Sequence, residues 1–121
     1  MIMEKILREK LIGEQLSSVE FIQDYLQLHF DGRNFIIYIW PKVSISEKNY
    51  CIDDIEYRNM LCKLISSTII DIVYIESKKL KIVFDKYESS ISINLDNYNL
   101  DIISEIVIFN DTLDNSWSVF E

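Results

Sequence analysis

The sequence predicts an α+β fold that is mainly antiparallel β, with about seven or eight strands and two short helices. The main observation is an internal echo, because residues 26–31 (Leu-Gln-Leu-His-Phe-Asp) are matched by residues 80–85 (Leu-Lys-Ile-Val-Phe-Asp). In both copies apolar residues alternate with more polar ones, which is the period of a half-buried strand. Turn signals also recur about every 8–12 residues. We therefore expect two meanders that form a curled sheet, a sandwich or a partly closed barrel.

The first helix is predicted over residues 3–12. Met3, Ile6, Leu7 and Leu11 recur at helical spacing, and Gly13 is a natural stop. The pattern indicates a short amphipathic helix that packs one stripe of side chains against the rest of the protein.

The first meander is predicted to contain strands at residues 16–22, 25–30 and 35–40. Asp31-Gly32-Arg33-Asn34 is a hairpin signal, since Gly and Asn tolerate positive φ. The third strand is apolar on both faces, which predicts a central position, and Pro41 should end it. Trp40 shares a face with Ile36 and Tyr38; core packing is expected there, with a partner-binding surface as the alternative.

A second helix is predicted to begin at Asp53, which would form a capping box with Glu56. This helix should end near residues 66–67. The apolar stripe that should face the core consists of Tyr57, Met60, Leu61, Leu64 and Ile65.

The second meander is predicted to contain strands at residues 68–76, 79–84 and 89–95. Residues 96–100 should form a loop, residues 102–109 continue apolar, and residues 116–120 form a short final strand. The echo extends upstream, where Val19 and Phe21 correspond to Val73 and Ile75. Both meanders should share one core, and its predicted members are Leu26, Leu28, Phe30, Leu80, Ile82 and Phe84.

Length and composition predict a single domain over residues 1–121, with 49% hydrophobic residues to supply its core. The net charge of −8 disfavours nucleic acid, and no basic amphipathic helix indicates membrane binding. We expect a cytoplasmic protein, because the sequence contains neither a secretory signal nor a membrane-spanning apolar run. Cys51 and Cys62 are then expected to be free thiols rather than a disulfide.

The sequence predicts no enzyme, no cofactor and no metal site. His29 is the only histidine, and no nucleophile is tied to it by spacing. Asp53, Asp54 and Glu56 could bind a metal, but a helix start favours carboxylates for its own dipole. No Gly-rich loop is present to cradle a phosphate group.

Acidic residues dominate the end of the chain, because Lys86 is the last basic residue and nothing in the later sequence offsets the carboxylates. A solvated surface would explain this, but a patch that attracts a cationic partner is the more specific hypothesis. Aromatic anchors among carboxylates suit such an interface, although Trp117 could equally plug the end of the core. The predicted partner-binding residues are Glu88, Asp96, Tyr98, Asp101, Asp111, Asp114 and Trp117.

One stretch resembles a known family. It consists of Leu11-Ile12-Gly13-Glu14-Gln15-Leu16-Ser17-Ser18-Val19-Glu20-Phe21 and then Asp24-Tyr25-Leu26-Gln27-Leu28-His29-Phe30-Asp31-Gly32, with looser likeness through residues 57–59. It is similar to small acidic bacterial immunity proteins of contact-dependent growth inhibition and related polymorphic-toxin systems. The close likeness covers about 20 of 121 residues and marks scaffold strands, so no toxin-contacting residue can be carried over.

The resemblance implies a cytoplasmic antitoxin that binds its cognate toxin domain, commonly a nuclease, and blocks the active site. A nuclease is cationic around its active site because it holds phosphates, so an acidic inhibitor suits it. Two alternatives remain open. A closed barrel with a cavity of at least about 300 Å³ would favour a small-ligand-binding protein. A non-catalytic scaffold or oligomerisation domain is the other alternative.

Overall fold

The computed structural model describes residues 2–96 and 106–120. The helices in these residues are α1 (Ile2–Leu11) and α2 (Tyr57–Lys63). The strands are β1 (Ser18–Phe21), β2 (Leu26–His29), β3 (Arg33–Ile37), β4 (Lys42–Ile45), β5 (Lys48–Tyr50), β6 (Ile69–Ile75), β7 (Lys79–Phe84), β8 (Ser89–Asn94), β9 (Val107–Asp111) and β10 (Ser116–Phe120). No helix within this part of the chain is long and apolar enough to cross a membrane.

The strands form two antiparallel sheets of five strands each, which do not close into a barrel. Sheet 1 has the order β1-β2-β3-β9-β10, and sheet 2 has the order β5-β4-β8-β7-β6. The predicted α+β fold and both meanders are confirmed. Sheet 2 comes from one continuous stretch of chain, whereas sheet 1 is assembled from residues on both sides of that stretch.

Both sheets contribute to one hydrophobic core, as the echo predicts. All six predicted members (Leu26, Leu28, Phe30, Leu80, Ile82 and Phe84) are at most 1% exposed. Phe35 packs in this core between Phe30 and Phe109, with ring centroids 6.1 and 5.0 Å away respectively. Tyr74 from sheet 2 meets Phe120 from sheet 1 edge to face. This second aromatic contact therefore joins the two sheets directly.

The upstream part of the echo fails in β6, where the pairing with β7 shifts between Ile69 and Asp71. Such a bulge adds one residue to a strand and changes which side chains face inward. As a result Ile72 is fully buried, while Ile75 is 47% exposed. The likeness of Val73 and Ile75 to Val19 and Phe21 is thus limited to the sequence, because the bulge changes which side chains of β6 face the core.

Helix α1 protects the outer edge of β6, which would otherwise expose unpaired backbone groups. The Tyr74 amide donates to the Glu4 carboxylate at 2.9 Å, and Arg8 donates to the Ile72 carbonyl at 2.9 Å. The chain then turns at Gly13, whose φ of +95° ends the helix as predicted. The Gly13 amide itself donates to the Ile69 carbonyl at 2.9 Å, so the pairing continues along the same edge.

The predicted capping box of the second helix is wrong. Helix α2 begins only at Tyr57, and its N-cap residue Glu56 makes no side-chain cap hydrogen bond. The Asp54 carboxylate instead accepts the Cys51 amide at 2.7 Å and closes a turn. The core-facing stripe of α2 is correct at Tyr57, Leu61 and Leu64, which are fully buried. The remaining members are partly buried Met60 and Ile65, which is 36% exposed.

The sequence prediction also missed β4 and β5. The turn between them places Ser46 and Glu47 at φ of 49° and 71°, a conformation that favours Gly or Asn. Because neither residue signals such a turn, the hairpin could not be recognised. The predicted final strand at residues 116–120 is confirmed as β10, and the two missed strands bring the described total to ten, above the seven or eight expected.

The bulge in β6 predicts different costs for the same substitution at two positions. Ile72→Ala should lower the free energy of unfolding by about 2–4 kcal/mol, because it opens a cavity in the core. Ile75→Ala, on the same strand, should cost about 1 kcal/mol or less, since that side chain is half exposed. Urea unfolding of both variants measures the difference. Equal costs would contradict the shifted packing of β6.

Candidate functional site

The outer face of sheet 1 carries an apolar strip that runs across the strands. The strand register aligns Ile36 of β3 with Ile108 of β9 and Val119 of β10. On one side of this row the rings of Tyr25 and Tyr38 contact each other, with centroids 5.3 Å apart. On the other side lies Trp117. We call this surface the aromatic face; it consists of Tyr25, Ile36, Tyr38, Ile108, Trp117 and Val119.

Solvent reaches much of the aromatic face. Trp117 is 66% exposed and Tyr38 is 44% exposed, while the three aliphatic side chains between them are half-buried. Neither described helix lies over it, because α1 contacts β6 of sheet 2, and α2 contacts β4 and β1. A contiguous exposed apolar patch on a small protein indicates an interaction surface.

Negative charge is concentrated on the same sheet. The strands and turns of sheet 1 (residues 18–37 and 107–120) contain five carboxylates and a single Arg or Lys, which is a net charge of −4. Lys10 of α1 pairs with two of these carboxylates, Asp111 and Asp114, and reduces the net charge to −3. The strands and turns of sheet 2 (residues 42–50 and 69–94) contain six lysines and five carboxylates, which is a net charge of +1. The aromatic face therefore lies in the acidic half of the sandwich, and its field favours a cationic partner.

Asp111 does not belong to this exposed surface, and its predicted role in partner binding is corrected. Its side chain is 1% exposed and accepts from Lys10 Nζ at 2.8 Å and from Arg33 Nε at 3.2 Å. The Leu113 amide donates to its second oxygen at 3.0 Å. Asp111 is thus a structural residue that joins α1, β3 and the β9–β10 turn.

The surroundings of Asp111 favour its ionised form. Burial alone would raise the pKa of this carboxyl, but the hydrogen bonds from Lys10 and Arg33 outweigh burial and hold the pKa below its usual range. The same contacts raise the pKa of Lys10, chiefly through its hydrogen bonds to Asp111 and Asp114. The group stabilises the fold while all three side chains remain charged.

The other predicted partner-binding residues are dispersed. Glu88 precedes β8 and Asp96 follows it, so they lie at opposite ends of one strand of sheet 2, roughly 26 Å apart. Tyr98 and Asp101 lie outside the described residues. Asp114 and Trp117 do lie together on the β9–β10 hairpin of sheet 1.

The prediction that no basic residue offsets the carboxylates after Lys86 is wrong for the folded protein. Asp114 pairs with Lys10 at 2.8 Å, and Asp96 pairs with Lys78 at 3.6 Å. Both lysines precede Lys86 in the chain, so the sequence order hid these pairs.

Several members of the aromatic face were not identified from the sequence. The sequence predicts core packing for the strand face of residues 36, 38 and 40, with a partner-binding surface as the alternative. In the structure Ile36 and Tyr38 point outward, whereas Trp40 lies beyond the end of β3 and packs partly against the core. Ile108 and Val119 join them only through strand pairing, which no local pattern reveals.

Candidate catalytic and metal-binding groups are sparse in the part of the chain that the structure describes. His29 lies on the outer face of sheet 1, where its Nε2 atom is 3.2 Å from Glu20 Oε1. In residues 2–96 and 106–120, no three His, Cys, Asp or Glu side chains are placed to hold a metal ion. Cys51 and Cys62 are free thiols, as expected, and both are exposed.

Comparisons of the chain with protein families, with curated proteins and with solved structures found no significant match.

The buried carboxylate of Asp111 predicts a specific pH dependence of stability. Asp111→Asn should lower the free energy of unfolding by about 2 kcal/mol at neutral pH, because it removes the buried charge that accepts hydrogen bonds from both Lys10 and Arg33. Asp114→Asn is the matched control; its side chain is 51% exposed, so this substitution should lower the free energy of unfolding far less.

The folded-state pKa of Asp111 lies below that of an unfolded Asp, about 3.9. Its stabilisation is therefore fully present above that value and is lost as the pH falls through the lower, folded-state pKa. The stability difference between wild type and Asp111→Asn should shrink accordingly below about pH 4. A difference that stays constant from pH 7 to pH 3 would show that the carboxylate charge does not contribute.

Proposed function

We propose that this protein is a cytoplasmic, non-catalytic immunity protein that binds a basic toxin domain of the nuclease class and blocks its active site. The observation that carries the proposal is the aromatic face of sheet 1, an exposed apolar strip on the acidic half of the molecule. Its occupant is a cationic protein surface, because both the apolar anchors and the charge must be matched.

The aromatic face has the composition of an interface centre. Large aromatic side chains such as Trp and Tyr dominate the energetic hot spots of protein interfaces, since they bury much area at low entropic cost. Trp117 and Tyr38 lie at opposite sides of the half-buried aliphatic row, so a partner that covers the row contacts both rings. Burial of this strip provides the affinity in the proposal.

Carboxylates surround the strip on several sides. Glu20 aligns with the aliphatic row, Asp24 lies in the turn before Tyr25, and Asp31 and Asp114 lie in the turns beside Trp117. These groups would attract the cationic surface that a nuclease needs for its phosphates. Charges at the rim of an interface mainly increase the association rate, whereas the buried anchors slow dissociation.

The resemblance of residues 11–21 and 24–32 to immunity proteins agrees with this proposal. Those residues include β1, β2 and the turns that orient Tyr25, so they are scaffold for the aromatic face. The small-ligand alternative receives less support, because the two sheets do not close around a lumen. The outer face of sheet 1 is accordingly the surface that binds the toxin domain.

The candidate toxin for the test is the C-terminal domain of the large secreted protein that we expect the upstream reading frame to encode. Co-expression of this chain with that domain should restore bacterial growth. Trp117→Ala should raise the Kd about 30-fold or more through faster dissociation, because loss of a hot-spot residue costs about 2 kcal/mol. The double variant Glu20→Lys/Asp24→Lys should instead slow association, and its effect should fade at high salt. Surface plasmon resonance at two salt concentrations separates these effects.

Two substitutions on sheet 2 serve as controls. Ile70→Ala removes an apolar side chain that is 53% exposed, and Glu76→Lys reverses an exposed charge. Both variants should bind the toxin domain as the wild type does. If neither Trp117→Ala nor Glu20→Lys/Asp24→Lys changes binding, the interface lies elsewhere. The next candidate is then the loop at residues 53–56, where Ile55 is 95% exposed among three carboxylates.

A further inference from the structure

The outer face of sheet 2 brings lysines together around one serine. Ser92 of β8 is paired with Lys42 of β4 on one side and with Lys81 of β7 on the other. In the next row Lys79 of β7 is opposite Asn94 of β8. We call these five residues the lysine face. Together with Lys78 and Ile93 they line a shallow depression of about 490 Å³.

The three lysines of this face form no close ion pair within the described residues, although Lys81 interacts electrostatically with Asp71, which is itself paired with Arg8. Lys78 pairs with Asp96, but Lys42, Lys79 and Lys81 form no ion pair with any described carboxylate. Ser92 keeps Lys42 and Lys81 two strand spacings apart, about 10 Å between their backbones. Long, flexible side chains at that separation can direct both ammonium groups to a ligand above the serine hydroxyl.

Carboxylates limit the size of this positive region. Glu76 lies just beyond β6, Asp85 and Glu88 lie in the β7–β8 turn, and Asp96 follows β8. An extended polyanion such as a nucleic acid would be repelled by these carboxylates wherever it extends beyond the lysines. A compact anion would contact only the donors at the centre.

We propose that the lysine face binds a compact dianion of the phosphate class, held by Lys42, Lys79 and Lys81 with the Ser92 hydroxyl and the Asn94 amide. Ammonium groups form charge-assisted hydrogen bonds to phosphate oxygens, and the hydroxyl and amide supply neutral donors between them. The site is on sheet 2, so it does not depend on the partner-binding role proposed for sheet 1. The phosphate can be free or can belong to a small phosphate ester.

The test is NMR titration of the whole protein with inorganic phosphate and, separately, with adenosine monophosphate, both at constant ionic strength in chloride. Saturable amide shifts at Ser92 and Asn94 are expected with at least one of the two ligands, and the comparison identifies the source of the phosphate. Lys42→Gln and Lys81→Gln should each raise the Kd about 5-fold, and the double variant about 25-fold.

Lys48→Gln is the matched control, because it removes a lysine from β5 of the same sheet outside the depression. It should leave the Kd unchanged. Equal weakening by Lys48→Gln, or shifts that do not saturate with either ligand, would overturn the proposal. A short single-stranded oligonucleotide that binds the same lysines much more tightly than both small ligands would also overturn it, since the partner would then be an extended polyanion.

Discussion

The buried carboxylate of Asp111 joins three separate parts of the molecule. It binds Lys10 at the end of α1 and Arg33 at the start of the central strand β3, and it also orders the β9–β10 turn. Helix α1 in turn covers the open edge of β6 in the other sheet. One ionised group on sheet 1 therefore fixes the helix that protects sheet 2. A buried charge of this kind is stable only while both cations remain in place.

Local patterns were sufficient where a structural choice depends on neighbouring residues. The alternation in residues 26–30 and 80–84 placed the core correctly, and Asp31-Gly32 marked a real hairpin, with φ of 46° and 93°. The predictions failed where the backbone adopts a conformation that its residues do not signal. Ser46 and Glu47 form a positive-φ turn without Gly or Asn, and the bulge in β6 reverses the faces of that strand without a breaker residue.

The candidate site was less predictable than the fold because it is built by pairing between distant segments. Ile36 and Ile108 become neighbours only when β9 joins β3, so neither position stands out alone. The partners of Asp111 are equally remote in sequence, which made a buried structural residue look like a surface acid. Trp117 was recognised because an aromatic residue among carboxylates in the local sequence has the composition of an interface with a basic partner. The separation of charge between the two sheets required the strand order and could not be read from the composition.

The strands of sheet 1 come from two separate stretches of the chain, and this affects the order in which the sheets form during synthesis. Sheet 2 is encoded without interruption, so its strands can pair as soon as they leave the ribosome, whereas β3 must wait for β9. Domains generally fold from the N-terminal side during translation, and long-range strand pairing is slow. The aromatic face is therefore the last surface to be completed, and a nascent chain presents its lysine face first. Premature termination before β9 would leave β2 and β3 without the neighbours that complete their sheet.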